Sequence, residues 1–209
     1  HWLEANSEAI NRLNVYPVPD GDTGTNMVLT LRAAVREAGE SGSSDVKGVA
    51  VALGRGALLG ARGNSGVILS QILRGFSERL SDSCEFGVLE FASALEGAAE
   101  VAYQAVTDPV EGTILTVVRD AGVAATSAVS DVDSIEDLLA VVVDASRKSV
   151  ANTPSQLAVL AEAGVVDAGG QGLQVIFEGM LRFVRGEALP ELVDIDMSSH
   201  VSVAFAEAH

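Results

Sequence analysis

Apolar residues recur along almost the whole chain at the three-and-four spacing of one helix face, and nowhere with the strict alternation of a half-buried strand. Residues 87–106 carry the pattern most clearly, with Leu89, Phe91, Ala92, Leu95, Ala98, Ala99, Ala102 and Tyr103. The same spacing predicts helices over 1–12, 25–39, 45–61, from 67 onwards, 113–127, 135–150, 153–163 and 173–184, about eight or nine in all. The predicted fold class is therefore all-α, an antiparallel bundle of about eight amphipathic helices. Aromatic residues make up only 4% while Ala, Val, Leu and Gly abound, which favours helices in close contact. Gly48, Gly54, Gly56 and Gly60 cost helix propensity in the third segment, and are expected to let a neighbouring helix approach. Short loops make successive helices alternate in direction, so the loops after the first, third, fifth and seventh or eighth share one end.

With 209 residues, 48% of them hydrophobic, the chain is ample for one domain with a large core. No apolar run approaches the roughly 18 to 20 uncharged residues of a membrane span, so none is expected. The net charge of −16, from 29 acids against 13 bases and without a basic stripe, repels nucleic acid and argues against it as a partner. Cys84 has no partner thiol and no metal-ligand spacing, which suits a structural or surface role and a cytoplasmic setting. No signal peptide is visible, and a start at His1 suggests that the native N terminus is missing. Residues 1–190 are read as one domain and 191–209 as a tail or linker towards a missing region.

Against this helical background, residues 14–27 stand out: Asn-Val-Tyr-Pro-Val-Pro-Asp-Gly-Asp-Thr-Gly-Thr-Asn-Met. Pro17 and Pro19 hold an extended approach, and Gly21 lets the backbone bend between Asp20 and Asp22. Two carboxylates held that close repel unless a cation lies between them, and an all-oxygen set suits Mg²⁺ completed by water and phosphate oxygens. Thr23, Gly24, Thr25 and Asn26 then precede an apolar helix, where free N–H groups favour an anion. The plain alternative is an acidic turn with Thr25 as an N-cap. A calcium loop of EF-hand type is excluded, because the twelfth position is Leu31 and not Glu. Asn14 is either a neutral metal or water-mediated ligand or a turn former.

Three further stretches have the same character. Asn64, Ser65 and Gly66 precede the apolar run from Val67, and either cap that helix or offer a second anion site; Arg62 beside them either assists a phosphate or is a surface charge. No Gly-Lys-Ser/Thr occurs, so this is not a Walker loop. Asp108 to Thr116 is a turn and helix start in which Glu111 suits a first turn and the Thr113 hydroxyl is expected to face the site; Arg119 and Asp120 beyond it read as a solvated pair. Asp167, Gly169 and Gly170 allow close backbone approach, and Asp167 can cap the last helix.

Residues 13–27, with 60–66, 108–116 and 165–173, resemble the ATP-binding domain of dihydroxyacetone-kinase-like (DhaL-like) proteins, and within that family the N-terminal kinase domain of bacterial fatty acid kinase. The resemblance implies a helical barrel with ATP or ADP and magnesium at one end. Asp20 and Asp22 would act in catalysis and, with Asn14, hold the metal. Thr23, Gly24, Thr25, Asn26, Asn64, Ser65, Gly66, Thr113, Ile114, Asp167 and Gly169 would bind the nucleotide, Ile114 lying against adenine. It further implies a fatty acid presented by a separate fatty-acid-binding carrier protein and phosphorylated to an acyl phosphate, with a homodimer through a C-terminal region as a further expectation. Asn14 stands where dihydroxyacetone kinases carry a third aspartate, and 161–164 lacks their arginine. The alternatives are a dihydroxyacetone-type kinase or phosphoryl-relay subunit, and a nucleotide-binding regulatory module without turnover.

Overall fold

The structure, a computed structural model, describes residues 1–81, 83 and 86–188; Cys84 and the expected tail at 191–209 lie outside the described residues. Among the described residues there are nine helices and no strand: α1 (Trp2–Asn11), α2 (Thr23–Glu40), α3 (Val46–Gly60), α4 (Gly63–Leu80), α5 (Val88–Ala105), α6 (Ile114–Ala128), α7 (Ile135–Gln156), α8 (Ala158–Ala163) and α9 (Ala168–Val184). The all-α class predicted from the periodicity is thus the one observed. Each long helix packs on its sequence neighbours, α7 packs on α9 and α9 returns to α1, which closes a barrel of eight; short α8 leans on α7.

The inward faces are the predicted stripes. Phe91, Leu95, Val117, Val118, Leu138, Leu139 and Leu173 are buried in one continuous core. Within the barrel lies an apolar cavity of about 550 Å³, lined among others by Leu31, Leu53, Leu69, Leu95, Leu139 and Leu173. Small residues set the interhelical spacing. A Cβ on Gly56 would stand 2.7 Å from the Ala33 carbonyl oxygen and 2.9 Å from the Ala34 Cα of α2, and one on Gly75 would strike the Gly97 carbonyl of α5. Gly48 differs from the other α3 glycines, since it faces Ser43 in its own capping turn and not another helix.

Three helices begin earlier than their apolar periodicity: α2 at Thr23, α4 at Gly63 and α9 at Ala168. Their first turns are polar or glycine-rich because they face the end of the barrel and not its core. Pro154 was expected to open a new helix, yet α7 runs through it to Gln156. Proline removes the N–H that would bond the Val150 carbonyl. The buried Thr153 hydroxyl donates to that carbonyl instead, at 2.7 Å, so the helix continues without an orphaned acceptor. The break comes at Leu157, which turns extended with φ −129° and ψ 106°.

Candidate nucleotide and metal site

The connections after α1, α3, α5 and α8 meet at one end of the barrel and enclose a cavity of about 440 Å³. Asn14, Asp20, Asp22, Thr23, Asn64, Ser65, Thr113, Ile114, Asp167 and Gly169 all line it, so residues far apart in sequence converge on one space. Gly24, Thr25, Asn26 and Gly66 do not line it. Among the described residues no Lys or Arg lines it either, Arg62 included, whereas Asp20, Asp22, Asp108 and Asp167 do.

The first wall is the Asp20-Gly21-Asp22 turn, with Gly21 at φ +68°. Asn14, itself buried, donates its Nδ2 to Asp20 Oδ1 at 2.6 Å. Asn14 thereby orients a carboxylate while itself lining the cavity. Asp22 is the N-cap residue of α2 by position, yet its side chain makes no capping bond, which leaves the carboxylate directed to the cavity. Of the expected amide cradle over 23–26, the last three N–H groups are taken within the chain. Asn11 Oδ1 accepts from the Gly24 N–H at 2.7 Å and from the Thr25 N–H at 3.2 Å, and the Asn26 N–H bonds the Asp22 carbonyl at 2.9 Å. Gly24 is glycine because α1 crosses there: a Cβ would collide with the Ser7 carbonyl.

Opposite stands the first turn of α4. Gly63, at φ +57°, leads Asn64 and Ser65 along the cavity, and no side chain caps this helix. Its open N–H groups and dipole make the positive feature of the space. The Arg62 N–H is tied to Thr30 Oγ1 at 3.2 Å, and the Ser65 hydroxyl donates to the Thr23 carbonyl at 3.3 Å, which joins α4 to the Asp turn. Gly66 faces away, where a Cβ would strike the Thr30 hydroxyl of α2.

The third wall joins α6 and α9. Asp167 is 5% exposed, and its carboxylate accepts from the Gly170 N–H at 2.7 Å and from the Ile114 N–H, so one side chain caps two helices. Burial pushes this carboxyl up to about 6, against the lowering effect of those two N–H groups. The Thr113 hydroxyl, expected to face the site, donates to the Val110 carbonyl at 2.7 Å and caps α6 by accepting from Leu115. Glu111 stands in the loop before α6 and not in its first turn. Ile114, Val106 and Leu115 give this side an apolar surface.

Several lining residues were not marked by the sequence reading: Tyr16, Val18, Gly63, Val67, Ile68 and Val106. The apolar ones are indistinguishable from core residues by periodicity. Asn11, the residue that consumes two amides, carries no motif signal; its position one turn before the loop is the sole hint.

Among the described residues, no cluster of three or more His, Cys, Asp or Glu could hold a metal by itself, and no helix is long and apolar enough to cross a membrane. Asp20 and Asp22 nevertheless fit Mg²⁺, which takes one or two carboxylates and completes its shell from phosphate and water.

Known proteins place the chain in context. It is 47% identical over 189 residues to protein YloV of Bacillus subtilis, covering 90% of this chain and 34% of YloV. An uncharacterized protein of Staphylococcus epidermidis is 46% identical over 187 residues, with the same 90% and 34% coverage. The chain thus spans about a third of the length of these relatives. In three dimensions it resembles the dihydroxyacetone kinase of C. freundii, with a TM-score of 0.59 over 87% of this chain and 32% of that one, at 20% identity, a likeness of fold alone. The sequence pattern of the DAK2 domain matches residues 17–182, which takes in the cavity loops from Pro17 onwards, Asp20 and Asp22 included, and the chain therefore belongs to the DAK2 domain family.

Proposed function

We propose that this chain is a nucleotide-dependent phosphotransferase domain that transfers the γ-phosphoryl group of ATP to a fatty acid carboxylate, giving ADP and an acyl phosphate. Family membership supports a nucleotide-binding, kinase-related role. The observation that carries the site is its charge pattern: carboxylates around the cavity, an uncapped helix N terminus facing Asp20 and Asp22, and, among the described residues, no cationic side chain in the lining. Such a cavity disfavours a bare triphosphate and favours one carried with a divalent cation.

In this reading Asp20, oriented by Asn14, and Asp22 hold one or two Mg²⁺. When bound, the metal neutralises charge on the phosphoryl oxygens. The N–H groups of Gly63, Asn64 and Ser65 position the phosphates, while Ile114, Val106 and Gly169 receive the base. Asp167 occupies the α6 and α9 N termini with its own carboxylate, which favours α4 as the phosphate end. No general base is needed, because an ionised carboxylate is already a nucleophile. The acceptor arrives on a separate fatty-acid-binding carrier. Residues 1–190 form the kinase domain, and the protein acts as a homodimer in the cytoplasm.

Calorimetric titration with ADP, with and without Mg²⁺, tests the core of this reading. Magnesium-dependent binding that the Asp20→Ala/Asp22→Ala variant loses is the expected result. A folded wild-type domain that ignores nucleotide in both conditions would sink it. Phosphoryl transfer from ATP to a lipid-loaded carrier, compared with transfer to dihydroxyacetone held on its own subunit, then separates the two acceptors; transfer to neither leaves the regulatory module.

A further inference from the structure

The loop over 106–113 supplies Val106, Asp108, Val110 and Thr113 to the cavity, yet Glu111 within it does not line that space. Its side chain turns outward into a polar cluster. Glu111 Oε1 accepts from Arg119 Nη1 at 2.7 Å and from the Tyr103 hydroxyl at 3.0 Å, and Oε2 accepts from the Thr116 hydroxyl at 2.8 Å. The same Thr116 oxygen, fully buried, accepts the Gly112 N–H at 2.8 Å. Gly112 has φ +80°, and a Cβ there would lie 2.9 Å from the Thr153 carbonyl, so the loop has little room to take another path. Arg119 continues the cluster to Asp120 at 3.1 Å, and Asp120 accepts from Ser149 of α7 at 2.6 Å.

A half-exposed ion pair alone is worth little. Here the Glu111 side chain is 49% exposed and that of Arg119 42%, so Coulomb attraction does not decide the matter. Geometry does: three donors on two helices converge on one carboxylate, and the chain continues through a buried hydroxyl to the loop backbone. Charged acceptors with several donors hold direction far better than a single pair. Burial raises the Glu111 carboxyl, but the hydrogen bonds from Thr116, Tyr103 and Arg119 outweigh it and hold it below its usual value, so it stays ionised as an acceptor. Burial, with the bond to Glu111, pushes the Tyr103 phenol up to about 12, so it stays a donor.

We infer that Glu111, with Arg119, Tyr103 and Thr116, is a positioning cluster that sets the affinity of the cavity for the base end of the nucleotide without touching it. This rests on the reading of the cavity as a nucleotide site. Loss of the cluster frees the loop between Val106 and Ile114, so these two residues no longer present a fixed wall to the base. The metal wall lies on a different loop and is not disturbed.

The test is ADP and adenosine titration of the intact chain and of Glu111→Ala, Arg119→Ala and Arg119→Lys, each with its melting temperature. Arg79→Ala serves as the comparison, since the Arg79–Glu100 pair at 2.6 Å has similar exposure but lies between α4 and α5. Weakening of both ligands by roughly fivefold in the alanine variants is expected, about the net worth of one ordinary hydrogen bond. Arg119→Lys should recover part of it, Arg79→Ala should change nothing, and the ratio of ADP affinities with and without Mg²⁺ should stay constant. Unchanged affinities in the alanine variants beside a binding wild type would overturn this inference alone. A lowered melting temperature without an affinity change would do the same, since it makes the cluster merely structural. A wild type that binds neither ligand would overturn the nucleotide reading and this inference with it.

Discussion

Asn14 and Asp167 are both polar, both buried and both in the cavity wall, yet they do opposite things with a carboxylate. Asn14 lends a donor to Asp20 and, in the proposed reading, leaves the rest of that group to a cation. Asn14→Ala removes the donor and should weaken magnesium-dependent ADP binding by about tenfold, the equivalent of one hydrogen bond to a charged group, as read by calorimetry. Asp167 spends its own charge on two helix N termini. Its carboxyl titrates at about 6 in the folded chain against the ordinary 3.8, so the folded state binds the proton more tightly than the unfolded state. For this group stability falls as pH rises through that window and is regained as pH drops towards the ordinary value. Asp167→Asn abolishes the titration. The melting temperature of the wild type should therefore rise relative to Asp167→Asn on going from neutral to mildly acidic pH, and parallel curves would show that Asp167 does not titrate there.

At the level of the helices, periodicity located every long element because a stripe facing a core must repeat with the helical turn. It misplaced the starts of α2, α4 and α9, whose first turns lie at the loop end of the barrel and carry no stripe. The exception inside an element is Pro154, which ordinarily ends a helix. Thr153 prevents this with one oxygen used twice: it donates to the Val150 carbonyl and accepts the Asp167 N–H at 3.0 Å. Thr153→Val keeps the shape and strands both backbone groups, at a cost on the order of 2–4 kcal/mol in denaturant unfolding. Because Asp167 hangs from that hydroxyl, the same substitution should weaken nucleotide binding more than an equally destabilising change deep in the barrel. Phe91→Ala, expected to cost about 3–5 kcal/mol from a fully buried site, is the comparison.

For the molecule as a whole, a net charge of −16 surrounds a site proposed to take an anion. Added salt screens that field, so the association rate of a magnesium–nucleotide complex should rise with ionic strength in stopped-flow mixing, opposite to a site approached through basic residues. The helical class and the convergence of four loops on one end were legible in the chain itself, since both follow from local spacing and alternating direction. The residue types at Asp20, Asp22, Asn64 and Asp167 were legible too, because glycine and proline around them mark turns. Which helix N terminus stays open could not be read locally. Asn11 reaches across from α1 to occupy that of α2, Asp167 caps α6 and α9 together, and α4 is left uncapped. The bond from Gly170 to Asp167 is local and was legible as a cap of the last helix, but the Asn11–Gly24 and Asp167–Ile114 pairings join residues separated by many positions, and such a bond is decided by where two groups meet in space, which neither group's own sequence neighbourhood specifies.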